Sequence, residues 1–312
     1  MKKYKSRNLI TGTWKAKVFY ICVITLPLLQ FITFYFGVLG KSVLLSFKEY
    51  DMKTGEYVFG GGFDNYRWFF TELKSPTSTF SKMFANSGIV WLASTMLGIT
   101  LALFFSFYIA KKMAGSGFFK IMLFLPTIIP TIAMALVFRR FVDRFLNSFF
   151  MDVFHFDFGK PFSGMPNEQF TAAVIYTLLM GFGTQVLMYT GVMSRVPNSV
   201  LEYASLDGIN AFQEFFLIML PLIYPTISTF LVSGVGTYFI GQAFLYDFYG
   251  SLADPQIQTL GYYMFNNVAG DGAVFSDYPR MAAIGMMFPF VAVPVTLLAR
   301  WGLEKLSPNV EY

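Results

Sequence analysis

The chain has 312 residues, of which 55% are hydrophobic and 13% are charged, and its mean hydropathy is +0.54. This composition is too apolar for a water-soluble domain of this length and places the chain among integral membrane proteins. The formal net charge is +5, but the basic residues do not cluster as a nucleic-acid-binding surface requires, so no nucleic acid is expected as a partner. A single cysteine, Cys22, and a single histidine, His155, exclude an internal disulfide and a multi-histidine metal site.

Six stretches without Asp, Glu, Lys or Arg predict six membrane-spanning helices. A spanning helix needs about 20 apolar residues, a charge at mid-bilayer costs roughly 2.5–3.5 kcal/mol, and backbone groups in lipid must be hydrogen-bonded within the protein. The stretches are 18–40, 83–110, 121–138, 169–194, 215–246 and 281–299. The expected fold class is therefore all-α integral membrane, with six transmembrane helices.

The charges that flank these stretches predict the topology. Six Lys or Arg residues and no acidic residue precede the first stretch, which by the positive-inside rule predicts a cytoplasmic N-terminus, and no signal-peptide cleavage site follows it. Six spans then return the C-terminus to the cytoplasm. The predicted division is a cytoplasmic tail (1–17), a first transmembrane helix (18–47), an extracytoplasmic segment (48–82), a core transmembrane domain (83–302) and a cytoplasmic tail (303–312).

The fourth and fifth stretches carry uncharged polar side chains at membrane depth, which usually face the interior of a helix bundle because lipid cannot satisfy them. A path for a neutral polar solute needs hydroxyl and amide groups with aromatic faces, and it needs no charge. For each residue alone, an interhelical hydrogen bond is the alternative role. The predicted substrate-pathway residues are Thr177, Thr184, Gln185, Thr237, Tyr238 and Gln242.

The segment 195–221 combines acidic residues, a glycine and apolar residues at helical spacing. The apolar residues recur every three to five positions, at Leu201, Ala204, Ile209, Phe212, Phe215 and Phe216. This pattern predicts two amphipathic helices separated at Gly208, since glycine readily takes a left-handed turn. Such a helix pair at a membrane surface is suited to docking into a groove of a partner protein.

The same segment resembles the EAA loop of the permease subunits of bacterial type I ABC importers. The pattern of that loop is Glu-Ala-Ala, three residues, Gly, nine residues, Ile, one residue and Leu-Pro. The residues in register with it are Glu202, Ala204, Gly208, Ile218, Leu220 and Pro221. Tyr203 departs from the family, which usually has alanine there, and we expect this departure to alter packing against the ATPase.

The resemblance implies a MetI-like permease fold in a bacterial plasma (inner) membrane, with no catalytic residue in this chain. It implies alternating access and, as partners, a second homologous permease subunit, two ABC ATPase subunits and an extracytoplasmic solute-binding protein. The chain itself has no phosphate-binding loop, because Gly40-Lys41-Ser42 ends like one but position 35 is Tyr rather than Gly. ATP and magnesium are therefore expected on the partner ATPase, and no cofactor is expected in this chain.

The resemblance also implies which residues couple the two proteins. The predicted ATPase-coupling residues are Glu202, Ala204, Leu206, Asp207, Gly208 and Ile209. The two acids are expected to contact the ATPase groove or to cap the coupling helix. The glycine is expected to set the turn, and Leu206 and Ile209 to insert as apolar contacts.

Further residues resemble the carbohydrate-uptake branch of these permeases, which implies a sugar or oligosaccharide as the substrate. They are Ser46-Phe47 at the end of the first span, Asn65-Tyr66 before the next element, and Pro126 and Pro130 in a kinked third span. The segment 250–255 departs, because it lacks the usual Thr-Gly-Gly-Pro apart from its proline. An ABC permease for another solute and a self-contained secondary carrier stay open as alternatives, although no internal repeat supports a carrier. A membrane-embedded enzyme is disfavoured because no catalytic constellation is present.

Overall fold

A computed structural model describes residues 14–60 and 62–306 of the chain. Most of the two predicted cytoplasmic tails, 1–17 and 303–312, lies outside these residues. The helices in chain order are α1 (14–46), α2 (Asp64–Lys74), α3 (Phe80–Ala110), α4 (Ser116–Thr127), α5 (Thr131–Phe154), α6 (Pro166–Met193), α7 (Asn198–Leu206), α8 (Ala211–Gly234), α9 (Thr237–Ile240), α10 (Leu245–Tyr249), α11 (Leu260–Val268) and α12 (Tyr278–Lys305). A hairpin of two strands, β1 (Lys48–Asp51) and β2 (Glu56–Phe59), follows α1.

Five of these helices are long and apolar enough to cross a membrane, and α4 and α5 together supply a sixth candidate span. The five are α1, α3, α6, α8 and α12. They coincide with five of the six charge-free stretches, so the predicted all-α membrane class is confirmed. The small hairpin is an addition that the hydropathy pattern did not predict.

The third predicted span, 121–138, is not one straight helix. The chain bends by 108° between α4 and α5. Pro126 lies in a tight turn at the end of α4, and Pro130 stands immediately before α5. Prolines cause the break because each lacks an N–H for the helical ladder and crowds the preceding turn. Helix α5 then continues to Phe154, well beyond residue 138, where the predicted span ends.

The fifth predicted span, 215–246, ends early, at Gly234. The chain continues through the short helix α9, an extended residue at Gly241, and two left-handed residues, Ala243 and Phe244, before α10. Hydropathy could not show this break because the whole stretch is free of charge. We call the segment 234–244 the helix break.

Donors from neighbouring helices satisfy the carbonyl groups that the helix break frees. The indole N–H of Trp91 donates to the Gly234 carbonyl oxygen over 2.8 Å, and the Thr259 hydroxyl donates to the Gly241 carbonyl oxygen over 2.8 Å. Irregular backbone at membrane depth is tolerated only where protein or a water-filled cavity surrounds it. The break is therefore held by the side chains of α3 and by the residue that caps α11.

The two residue pairs that suggested the carbohydrate-uptake branch meet outside the spans. The Ser46 hydroxyl lies 2.8 Å from the Tyr66 hydroxyl, and the Asn65 amide donates to the Ser46 and Lys48 carbonyl oxygens, each over 2.9 Å. The sequence analysis placed Asn65 and Tyr66 before the next element, whereas in the structure they lie inside the first turn of α2. Their contacts tie the end of α1 and the start of the hairpin to α2.

Hydrogen bonds within the hairpin turn close its tip. The Asp51 carboxylate accepts from the Lys53 backbone N–H over 2.9 Å and from the Thr54 hydroxyl over 3.0 Å. The bond from the Lys53 N–H is the largest cause that lowers the pKa of Asp51 below its usual value. The tip is therefore a charged, ordered turn.

The core of the bundle lies between α3, α6 and α8. Ile99 and Ala102 of α3 pack with Val186 and Tyr189 of α6, and the Ser106 hydroxyl donates to the Val186 carbonyl oxygen over 3.0 Å. By contrast, none of the described side chains of α1 between 14 and 39 is buried. A helical stretch that is apolar on all sides and has no buried side chain faces lipid or another subunit.

Gly261 allows α11 to pack directly on the helix break. A Cβ atom at this position would lie 2.4 Å from the carbonyl carbon of Ile240 and 2.7 Å from the carbonyl oxygen of Gly241. Both contacts are with backbone, so neither neighbour can rotate away. A side chain at 261 would therefore separate α11 from the break.

We expect Gly261→Ala to lower the free energy of unfolding by about 1–3 kcal/mol, the usual cost of overpacking. The measurement is the thermal unfolding midpoint of the purified protein in detergent. Gly191→Ala is the matched control, because a Cβ at Gly191 meets nothing within 4 Å. Equal midpoints for the two variants would contradict the role assigned to Gly261.

Candidate functional site

A cavity of about 420 Å³ lies between α3, α6, the C-terminal end of α8 and the helix break. Four of the six predicted pathway residues line it. They are Thr177 and Gln185 of α6, Thr237 of α9 and Gln242 of the helix break. The fold thus brings together polar groups that lie as much as 65 positions apart in the sequence.

The other two predicted pathway residues lie elsewhere. Thr184 is exposed on α6 and does not line the cavity. Tyr238 lines a neighbouring apolar groove, and its hydroxyl donates to the Phe84 carbonyl oxygen over 3.0 Å. The structure therefore gives Tyr238 an interhelical hydrogen bond, which was the alternative role for each of these residues.

Three polar residues and a tryptophan of the cavity wall were not predicted from the sequence. Trp91, Ser94 and Thr95 come from α3, and Asp247 comes from α10. A π-helical stretch, Ala93–Gly98, carries the two hydroxyl residues that α3 contributes to the cavity, and such stretches often occur at functional sites. Asp247 stands just after the fifth charge-free stretch, and hydropathy does not reveal that the chain folds back after the helix break.

The polar groups of the cavity differ in how far the protein already satisfies them. The Thr177 and Thr237 hydroxyls donate to the Ala173 and Gly234 carbonyl oxygens, over 2.8 and 2.6 Å. The Gln185 Oε1 atom is buried and has no hydrogen-bond partner among the described residues. An unsatisfied buried amide oxygen is costly, so it marks a place where a solute hydroxyl or a water is expected to bind.

The predicted helix pair of segment 195–221 is present, and the prediction that it breaks at Gly208 is confirmed. Helix α7 ends at Leu206, Gly208 has a φ of +73°, and α8 begins at Ala211. Asn210 caps α8, because its Oδ1 accepts from the Gln213 N–H while Gln213 Oε1 accepts from the Asn210 N–H, each over 2.9 Å.

Helix α7 presents apolar side chains to its surroundings. Tyr203 is 70% exposed and Leu206 is 80% exposed, and they stand three residues apart, on one face of the helix. Glu202 and Asp207 are exposed beside them, whereas Ala204 is buried and Ile209 is half-buried. Of the predicted coupling residues, Ala204 faces this chain, and the acids and Leu206 are free to contact another protein.

An ion pair joins the start of α8 to the end of α3. Lys111 Nζ lies 2.5 Å from Glu214 Oε2, and Glu214 is 8% exposed. Phe215 and Met219 pack beside it on Phe107 of α3. Local sequence patterns cannot predict this ion pair, because the two residues are 103 positions apart.

Residues 94–311 match a protein family described as the binding-protein-dependent transport system inner membrane component. The match covers more than half of the chain and includes the EAA-like segment. The chain belongs to this family. It is therefore a permease subunit and not an enzyme.

Curated relatives agree with the family assignment. The chain is 28% identical to the probable ABC transporter permease protein YesP of Bacillus subtilis, over 61% of this chain and 60% of that protein. It is 22% identical to the arabinooligosaccharides transport system permease protein AraP of Halalkalibacterium halodurans, over 94% and 90%. The chain thus spans about 60% of the length of YesP and most of the length of AraP.

Two solved structures share the fold. One is a chain of a bacterial ABC transporter involved in the import of the acidic polysaccharide alginate, with a TM-score of 0.73, 17% identity, and coverage of 94% of this chain and 99% of that one. The other is from the alginate transporter in complex with an alginate pentasaccharide-bound periplasmic protein, with a TM-score of 0.73 and 18% identity. At this identity the likeness establishes the fold alone.

We expect Lys111→Met to lower the free energy of unfolding by about 1–3 kcal/mol, because it leaves the Glu214 carboxylate buried without its partner. The measurement is thermal unfolding in detergent. The charge-swapped double variant, Lys111→Glu with Glu214→Lys, should recover part of the loss. The control is Arg300→Met, which removes an ion pair whose side chains are 65% and 62% exposed and should change stability by less than about 1 kcal/mol.

Proposed function

We propose that this chain is the membrane permease subunit of an ATP-driven importer that moves a sugar or oligosaccharide into the cell. One observation carries the proposal. A cavity lined by amide and hydroxyl groups lies inside a bundle whose helix α8 continues from the cavity wall to an exposed helix pair of the EAA type. In this proposal, solute binding and ATPase docking lie at the two ends of one helix.

The chemistry of the cavity supports a saccharide as the solute. Gln185 and Gln242 offer amide groups, and Trp91 adds an aromatic ring to the same lining. Among relatives of this chain are a galactooligosaccharides transport system permease of Bacillus subtilis, GanP, and the arabinooligosaccharides permease AraP of two species. An oligosaccharide presents many hydroxyl groups and apolar ring faces, which such a lining can bind.

The proposed partners follow from the exposed surfaces and the family. Tyr203 and Leu206 would insert into a groove of an ABC ATPase, with Glu202 and Asp207 making polar contacts around them. Two ATPase copies, a second permease and an extracytoplasmic solute-binding protein would complete the importer. In this arrangement both chain termini lie in the cytoplasm and the hairpin lies outside.

Alternating access is the proposed mechanism. Closure of the ATPase dimer on ATP would move α7, and the ion pair between Lys111 and Glu214 would carry that movement to α3 and α8. Both helices line the cavity, so its opening would change sides. ATP and solute must each bind one state more tightly than the other, because a ligand with equal affinity for both shifts nothing.

Native mass spectrometry of the complex, purified through a tag on this chain from its own cells, tests the proposal. We expect one copy of this chain, a second permease of similar size and two ATPase copies. This chain alone or as a homo-oligomer, under conditions that preserve a control importer, would instead favour a self-contained secondary carrier.

The turn at Gly208 gives a test within the chain. Gly208→Pro should abolish uptake and leave membrane insertion intact, because proline fixes φ near −65° whereas this residue has a φ of +73°. Gly208→Asn is the matched control and should retain most of the uptake, since asparagine tolerates the left-handed region. The measurement is uptake of a labelled oligosaccharide by cells, with the amount of membrane-inserted protein determined in parallel. Normal uptake by the proline variant would refute the coupling role.

A further inference from the structure

The cavity contains one carboxylate. Among the described residues that line it, Asp247 is the single ionisable side chain. It is half-buried in the first turn of α10, and no ion pair to it is found in the described part of the chain. A partly buried acid without a cationic partner contributes an uncompensated negative charge to the space it faces.

Arg139, which contacts α10, does not form an ion pair with Asp247. Arg139 donates to the Phe248 carbonyl oxygen over 3.1 Å and lies over the Tyr249 ring, 5.4 Å from its centroid. Its guanidinium faces Asp143, 3.9 Å away, and that carboxylate also accepts from the Phe162 N–H. The protein therefore neutralises one of these two acids, Asp143, and leaves Asp247 uncompensated.

Three donors of the cavity wall are already engaged. The hydroxyls of Thr177 and Thr237 and the indole N–H of Trp91 all donate to backbone carbonyls. Their protons are therefore not available to a solute, while the hydroxyl lone pairs and the unpaired Gln185 Oε1 can still accept. The amide N–H groups of Gln185 and Gln242 remain as donors, so the charge selectivity of the cavity is set by Asp247.

We propose that Asp247 makes this cavity selective for solute charge, so that it accepts neutral and amino-substituted saccharides and repels acidic ones. The identity of the solute as a saccharide rests on the proposed function, but the charge selectivity of the cavity does not. A negative group at short range on the wall of a protein cavity acts more strongly than in water, because the surrounding protein is less polarisable than water and counter-ions screen a partly buried charge less. Asp247 is thus a specificity-determining residue of the cavity.

Thiol labelling measures the charge felt inside the cavity without any saccharide. Cys22 is the single cysteine of the sequence, so Cys22→Ser gives a thiol-free chain. Thr237→Cys then places one reporter thiol on the cavity wall. The purified complex in detergent is treated at low salt with two methanethiosulfonates of similar size, one bearing a trimethylammonium group and one a sulfonate. The quantity compared is the ratio of the two labelling rates, divided by the same ratio for free 2-mercaptoethanol.

We expect the cationic reagent to be favoured at Thr237→Cys and the normalised ratio to fall about ten-fold when Asp247→Asn is added, as loss of one nearby charge predicts. Asp247→Glu, which keeps the charge, should preserve the ratio. Asp247→Ser is a second neutral variant, used if the asparagine variant does not assemble, and size-exclusion chromatography verifies assembly of each. A reporter at Thr77, which is exposed and outside the cavity, should show no dependence on residue 247.

Two results would overturn the proposal. One is an unchanged ratio at Thr237→Cys when Asp247 is replaced by either neutral residue. The other is a reporter that neither reagent labels, because the cavity would then not admit solutes from water. The labelling requires neither ATP nor a binding protein, so its outcome is independent of whether the complex proves to be a sugar importer.

Discussion

The structure depends on one constraint, which is that a helix interrupted inside a membrane must have its free carbonyl groups satisfied. Helix α8 ends at Gly234, and the polypeptide then turns back through the break. Trp91 of α3 and Thr259 at the start of α11 supply the donors, and Gly261 lets α11 approach closely enough to support them. The cavity exists because the break leaves this space unfilled, and its walls are the elements that hold the break in place.

The same helix connects the cavity with the surface that would meet an ATPase. At one end of α8, Glu214 pairs with Lys111 and so fixes α8 to α3. At the other end, α8 and α3 both reach the cavity, and the Trp91 hydrogen bond joins them again. Because α3 and α8 are joined at two points, we expect the two helices to move together. A displacement of α8 at the ion pair should then also displace the cavity wall. Two π-helical stretches, Ala93–Gly98 and Glu214–Met219, lie near these points.

Much of this arrangement could be predicted from the sequence. Charge-free stretches located the spans, and acidic residues around Gly208 located the helix pair, because both signals are local. The end of α8 could not be predicted from the sequence. Gly234, Gly236 and Gly241 lie in a stretch that is apolar throughout, so no hydrophobic periodicity changes where the helix ends. Asp247 and Trp91 could not be assigned to a common site, because only the fold brings α10 and α3 together. Four of the six predicted pathway residues line the cavity, because uncharged polar groups at membrane depth tend to face the interior of a helix bundle.

Helix α1 has a consequence for how the protein is made. Of its described side chains, those between 14 and 39 are not buried, and only its last turns, Gly40–Ser46, pack on the rest of the chain, chiefly on α12. Helix α1 is thus synthesised well before α12, the helix on which it packs. Until translation passes Tyr278, α1 can lie in the bilayer as an anchor without a docking place, and its packing on α12 joins two segments that are far apart in the sequence.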